Sequence, residues 1–226
     1  MIPLDRGLIV SCQAPADSPL HDAAVIGAMA QAAVNQGAVA VRIDTPAHVN
    51  AVRQRVEVPI IGLWKQQIRG FEVYITPQFE QAAAIAGVGA DIIAIDATAR
   101  KRPGGETLAG LIEKIHAELG KPVMADVDSI KNAIAAATAG ADIVGTTLYG
   151  YTHETKHLSP PGFELLAQMV EKLEVPVICE GGISSPHMAK QAIDLGAYAV
   201  VVGTAITGID YLAKAYQESV LNALNL

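Results

Sequence analysis

The sequence predicts an α/β protein, a single (β/α)8 TIM barrel. Three observations carry that prediction: alternating β-branched and alanine-rich segments, glycine punctuation with a two-unit period, and polar residues collected at strand ends. Strands are predicted at 8–13 (LIVSCQ), 39–44 (VAVRID), 60–65 (IIGLWK), 91–96 (DIIAID), 122–127 (PVMADV), 142–147 (DIVGTT), 176–181 (PVICEG) and 199–204 (AVVVGT). Between them lie helical patterns such as HDAAVIGAMAQAAVNQ, TLAGLIEKIHAELG and SPHMAKQAIDLG. The last opens on Ser185-Pro186, where proline suits the first helical turn.

The punctuation orders these segments. Gly37-Ala38, Gly89-Ala90, Gly140-Ala141 and Gly196-Ala197 precede the second, fourth, sixth and eighth strands, at spacings of 52, 51 and 56 residues, or two βα units per period. Each glycine falls where a helix C-cap takes a positive φ. Pro59, Pro122 and Pro176 lead into the third, fifth and seventh strands, and a helix cannot continue through them. Eight units without a composition shift predict one domain over residues 1–226. An open doubly wound sheet is the alternative, but the chain has no G-x-G-x-x-G fingerprint.

Composition narrows the function classes. Half the residues are apolar and 17% are charged, which supports a large core and argues against disorder. Aromatics are only 4%, while small and β-branched residues abound, as parallel strands packed under helices require. Sixteen basic against twenty-three acidic residues give a net charge of −7 with no basic stripe, so nucleic acid is not an expected partner. The apolar runs are too short for a membrane span, and no signal peptide opens the chain. Cys12 and Cys179 lie in predicted strands without metal spacing, and read as buried thiols in a reducing cytoplasm. Barrel surfaces often pair, so a homodimer is expected.

A barrel of this kind carries its active site at the C-terminal strand ends. Those ends hold Gln13, Arg42, Asp44, Lys65, Asp96, Asp126, Thr146, Thr147 and Glu180. Side chains alternate along a strand, so Trp64 and Cys179 facing the helices turn Lys65 and Glu180 into the mouth. Ile43 facing out likewise turns Arg42 and Asp44 inward, where an Arg42–Asp44 structural pair is one alternative. Asp96, followed by Ala-Thr, reads either as a site residue or as a loop cap. Convergent buried charges are costly unless paired, and several at one mouth point to chemistry. After strands seven and eight, EGGISSP (180–186) and VGTAITG (202–208) place glycines just before helix starts. Free amides there suit a phosphate. The loop YTHETKHL (151–158) carries His153, Glu154 and His157 and is expected to be a mobile lid rather than a metal site. TARKRPGG (98–105) is expected to be a solvated turn.

The segments LIVSCQA, PLHD, YITP, GADIIAIDAT, MADV, GADIVGTTLYGYT, PVICEGGI and GAYAVVVGTAIT, in this order over nearly the whole chain, resemble the N-acetylmannosamine-6-phosphate 2-epimerases. The resemblance implies an isomerase of amino-sugar and sialic acid catabolism that interconverts N-acetylmannosamine 6-phosphate and N-acetylglucosamine 6-phosphate, with no metal or organic cofactor. It implies Lys65 as the acid/base at C2 and Glu180 as its counterpart. Gln13, Arg42 and Asp126 would be substrate-binding residues, and Gly181, Gly182, Gly203 and Thr204 would hold the phosphate. Three departures stand out. LWKQQIRG replaces a common IKRDY, Gly208 stands where many members have Arg, and Tyr149 replaces a small residue and is expected to narrow the pocket.

Inverting C2 requires removal of the proton beside the C1 aldehyde and its return to the opposite face. A lysine near another cation and away from water has its neutral form favoured, so Lys65 beside Arg42 suits the base. A Schiff-base aldolase or lyase, and a sugar-phosphate-binding barrel without catalysis, remain as alternatives.

Overall fold

The computed structural model describes residues 2–224 and shows a closed parallel barrel with strand order β1 to β8. The strands are β1 (Gly7–Cys12), β2 (Ala40–Asp44), β3 (Ile60–Leu63), β4 (Ile92–Asp96), β5 (Val123–Asp126), β6 (Ile143–Gly145), β7 (Val177–Glu180) and β8 (Ala199–Val202). The barrel closes where Leu8 and Val10 of β1 register against Val200 and Val202 of β8. Each strand is followed by a helix. These are α1 (Ala23–Asn35), α2 (Pro46–Arg53), α3 (Phe79–Gly87), α4 (Leu108–Lys114), α5 (Ile130–Thr138), α6 (Phe163–Lys172), α7 (Pro186–Asp194), α8 (Thr204–Thr207) and α9 (Ile209–Leu224).

Strand alternation sorts the apolar residues into two cores. Ile9, Ala40, Ile61, Ala94, Met124, Ile178 and Val201 fill the barrel interior. Val10, Val41, Ile43, Ile95, Cys179 and Val200 face the helices instead. The two cysteines sit buried and unpaired in that outer layer, and burial pushes their thiols up to about 12 at Cys12 and about 11 at Cys179.

The four Gly-Ala steps end helices as expected. Gly37, Gly89, Gly140 and Gly196 take φ of 91°, 107°, 98° and 96°. At each, the glycine N–H bonds back three residues and the following alanine N–H five, as in Ala38 N–H to Ala33 O at 3.1 Å. These paired bonds satisfy the last carbonyls of the helix and turn the chain into the next strand. At the other helix ends, Asp22, Thr107, Ser129 and Ser185 accept from first-turn amides through their side chains.

The predicted strands run up to three residues too long. β6 stops at Gly145 and β8 at Val202, so Thr147 and Thr204 lie beyond them, and Lys65 lies two residues past β3. Parallel ladders end where neighbouring strands diverge toward the mouth, while β-propensity carries on. Helix α9 departs from the barrel in another way. None of its residues is buried, and Ile209, Tyr211, Tyr216, Val220 and Leu224 are exposed. No helix among the described residues is long and apolar enough to cross a membrane.

Gly62 shows how tightly the outer layer closes. A Cβ there would lie 2.3 Å from Ile85 Cγ2 and 2.6 Å from Ala90 Cβ. Gly62→Ala is therefore expected to destabilise by about 2 kcal/mol or more through overpacking. Gly37→Ala meets nothing within 4 Å but holds a φ of 91°, and should cost about 1 kcal/mol of backbone strain. Urea unfolding midpoints check both, and equal midpoints for the two variants would refute the steric account.

Candidate active site

One buried cation organises the mouth. Arg42, 1% exposed, reaches from β2 across the interior to β5 and β7. Its Nη2 donates to Asp126 Oδ2 at 2.6 Å and its Nη1 to Asp126 Oδ1 at 3.1 Å. Nη1 also lies 3.0 Å from Glu180 Oε2. The charges of Asp126 and Glu180 outweigh the burial that would lower the guanidinium's pKa, so it rises above its ordinary value and Arg42 stays charged. Glu180 is the unbalanced member. Burial pushes its pKa up and Asp126 adds repulsion, against the attraction of Arg42, the Thr147 hydroxyl and Lys65, and it settles at about 7.

Arg42 thus pairs with Asp126, not with Asp44. Asp44 instead accepts from the Lys65 backbone N–H at 3.0 Å. Both side chains of the Arg42–Asp126 pair are almost wholly buried, and of the two it is Arg42 that contacts Glu180. Thr146 fixes the end of β7 by donating to the Glu180 carbonyl at 2.8 Å and accepting from its N–H at 3.0 Å.

Lys65 stands on the other wall. Segment 64–66 pairs with 74–76 through Gln66 N–H to Tyr74 O and Thr76 N–H to Trp64 O, and Trp64 turns out to the helix layer. The Lys65 Nζ donates to Gln13 Oε1 at 2.5 Å and lies 3.9 Å from Asp44 Oδ2. Burial among the mouth groups, and Arg42 after it, lower the lysine's pKa against the pull of Asp44, Glu180 and Asp126. Its side chain is still 44% exposed, so water screens much of that effect while the mouth is open. Thr45 (φ 70°) and Thr76 (φ 43°) adopt positive φ beside these strand ends, conformations that non-glycine residues hold where surrounding structure forces them. In a closed barrel of eight strands β3 and β7 are diametrically opposed, so Lys65 and Glu180 approach the mouth from opposite sides.

The glycine loops flank Glu180. Gly181 and Gly182 take φ of 101° and 72°, and Gly203 caps α8, which Thr204 begins. The first amides of a helix have no partner within it, which leaves donors at the start of α8. Beside them Tyr151 lies over Gly181, within 3.4 Å of where a Cβ would sit. Gly208 is packed against Thr204, with a Cβ position only 2.8 Å from Thr204 Cα and O, so this backbone leaves no room for a side chain there.

Three expectations are corrected. Tyr149 does not narrow the pocket: its ring packs on Gly162 and joins the outer core. The 98–105 loop is not a solvated turn. Thr98 and Arg102 are buried, and Arg100 folds back to Asp96 Oδ2 at 2.6 Å, because the buried Asp96 needs donors. Asp96 also accepts from Thr98 N–H at 3.1 Å and Thr98 Oγ1 at 2.7 Å, which makes it the loop cap. The 151–158 loop is anchored, since Thr152 bonds Asp128 Oδ2 at 2.7 Å and Thr155 Oγ1 at 2.8 Å. Tyr151, His153, Glu154, Lys156 and His157 are its exposed residues, and no three His, Cys, Asp or Glu side chains among the described residues converge as for a metal.

Two groups near the site escaped assignment from the sequence. Tyr74 packs against the interior core, and burial with the charges of Asp126 and Asp96 pushes its phenol up to about 12. It lies outside any strand, so strand alternation did not mark it. Thr147 was visible as a strand-end polar residue, but its contact with both carboxylates is purely tertiary.

A family model described as "Putative N-acetylmannosamine-6-phosphate epimerase" matches residues 26–222. The chain belongs to this family. A relative from Thermosynechococcus vestitus, named "Putative N-acetylmannosamine-6-phosphate 2-epimerase", is 65% identical over 93% of this chain and 91% of its own length. One of the same name from Synechococcus elongatus is 59% identical over 97% and 95%. The solved structure of the N-acetylmannosamine-6-phosphate 2-epimerase from Clostridium perfringens superposes with a TM-score of 0.91 at 40% identity, covering 96% of this chain and 94% of that one. Thiamine phosphate pyrophosphorylase from Pyrococcus furiosus, at 18% identity and a TM-score of 0.59, shares the fold alone.

The Glu180 shift has a measurable consequence. Its pKa is about 7 folded against 4.5 ordinarily, so the native state binds more protons between those values and stability falls as pH rises through that window. Glu180→Gln should leave stability near wild type below pH ~4.5 and raise it by the order of 2 kcal/mol above pH ~7. Thermal melts at pH 4.5 and 8 check this; equal differences at both would refute a charged, penalised Glu180.

Proposed function

We infer that this chain interconverts N-acetylmannosamine 6-phosphate and N-acetylglucosamine 6-phosphate by removing and returning the proton at C2 of the open-chain sugar. The observation that carries this reading is the opposition of Lys65 and Glu180 on β3 and β7, each with its pKa displaced toward neutrality. Inversion needs one group on each face of C2, and a base and an acid that both work near neutral pH. Membership of the epimerase family supports the same reaction.

In the proposed reaction Lys65, neutral, takes the C2 proton from one face, and protonated Glu180 returns one to the other. The reverse direction exchanges their roles. Substrate filling the mouth displaces the water around Lys65 and strengthens the preference for its neutral form. The charge developing on the C1 oxygen is met by the field of Arg42 and by the Gln13 Nε2 amide hydrogens, while the Gln13 oxygen accepts from Lys65 Nζ. Arg42 acts from below by holding the Glu180 carboxylate, and Asp126 holds Arg42 in place. Gly181, Gly182, Gly203 and Thr204 hold the 6-phosphate through amides and a hydroxyl, without an arginine from position 208. The acidity of a proton beside an aldehyde suffices for this chemistry, and the proposal invokes no cofactor. We also propose that the whole chain acts as one catalytic domain and works as a cytoplasmic homodimer. The exposed apolar side chains of α9 support the pairing, and two buried thiols suit a reducing compartment.

Proton NMR of N-acetylmannosamine 6-phosphate with the protein tests the reaction directly. Lys65→Met keeps the stem volume and should abolish epimerisation with the fold intact. Activity within about tenfold of wild type, ~1.4 kcal/mol in barrier, would remove Lys65 from the reaction. Borohydride trapping of a substrate adduct on Lys65 would favour a Schiff-base lyase instead.

A side chain at 182 is a poor probe of the phosphate site, because a Cβ there would lie 2.5 Å from Pro160 Cβ at a φ of 72°. Gly203→Ala is the better one. Its Cβ meets Ser11 Cβ at 3.4 Å, an ordinary contact, and should crowd the phosphate. We expect KM to rise with kcat largely kept. Equal efficiency on unphosphorylated N-acetylmannosamine would refute the phosphate assignment.

A further inference from the structure

Two carboxylate oxygens, Asp126 Oδ1 and Glu180 Oε2, share two partners, one an ion-pairing cation and one a hydroxyl. Arg42 Nη1 lies 3.1 Å from the first and 3.0 Å from the second. Thr147 Oγ1 lies 2.6 Å from the first and 3.2 Å from the second. A guanidinium and a hydroxyl therefore clamp the same pair, with Thr147 just beyond the end of β6. Among the described residues Glu180 Oε1 receives no hydrogen bond, and the side chain keeps 12% exposure.

We propose that Thr147 is a positioning residue for the C2 proton transfer: by anchoring Glu180 Oε2 beside Arg42 it leaves Oε1 as the oxygen that carries the exchangeable proton toward the sugar. This rests on the epimerase reading above. A carboxyl group free to rotate would present either oxygen to C2, and would spend part of its time with the proton turned inward. A threonine hydroxyl has one hydrogen and two acceptor sites, so it can serve either carboxylate as their protonation changes. The methyl of Thr147 makes no part of this, and a serine would do the same work.

The other groups around Glu180 are accounted for. Arg42 from β2 and Lys65 beyond β3 favour its charged form, whereas Asp126 from β5 opposes it, and Tyr151 and Cys179 feel its charge. Thr147 is the neutral donor among those that favour the anion, so removing its hydroxyl alone leaves every surrounding charge in place.

The test compares Thr147→Val, which keeps the shape, with Thr147→Ser, which keeps the hydroxyl. Carbon NMR of labelled glutamate, with the signal assigned through Glu180→Gln, follows the Glu180 titration in each. We expect the midpoint to rise by roughly half to one pH unit in the valine variant, the equivalent of one hydrogen bond, and to return in the serine variant. With N-acetylmannosamine 6-phosphate as substrate, the limb of the pH profile that reports Glu180 should move the same way. At the optimum, kcat should fall about tenfold while KM stays within about twofold. A valine variant that titrates as wild type, or a serine variant as impaired as valine, overturns the proposal. If the valine variant does not fold, Thr147→Ala is read by the same titration. The titration needs no turnover, so an inactive wild type would refute the epimerase reading separately, while an active wild type with an unmoved Glu180 would refute only the role of Thr147.

Discussion

The buried charge of Arg42 is the constraint on which the rest of the mouth depends. A guanidinium taken fully out of water must be paired, and removing one partner of such a pair typically costs about 3–5 kcal/mol. Asp126 meets it with a bidentate contact, which satisfies the charge. Glu180 is then surplus: a second carboxylate on a cation already neutralised, in a place where its ionisation is penalised. Structural need accounts for Arg42 and Asp126, but not for Glu180. An unbalanced carboxyl group poised near neutral pH is what a proton-transfer site requires.

The barrel supplies the second requirement, opposed placement. Parallel strands arranged in a ring put every C-terminal end on one rim, and two strands four places apart face each other across it. Lys65 and Glu180 occupy such a pair, while the glycine turns after β7 and β8 lie to one side of Glu180. A sugar phosphate bound there would have its anionic end fixed by backbone and its reacting carbon between two side chains. Fixing the far end of a substrate in this way orients the near end.

Packing also explains two residues of the loops. Gly208 is not an empty place awaiting a side chain, because Thr204 closes over it. Tyr149 is accommodated by Gly162, where a Cβ would lie 2.8 Å from the ring's Cγ.

The sequence by itself determined the barrel, its strand order and the residues that face inward. Periodicity and capping are local: the Gly-Ala steps end helices whatever surrounds them, and alternation places Arg42, Lys65, Asp126 and Glu180 on one side of the sheet. Only the tertiary structure decided how those charges pair. Arg42 takes Asp126 and not the nearby Asp44, because its long side chain crosses the interior to a strand three places away. The same holds for Thr147, whose meaning depends on two carboxylates brought from β5 and β7. Which charge meets which is settled by distance and burial across the barrel, quantities that strand periodicity does not contain.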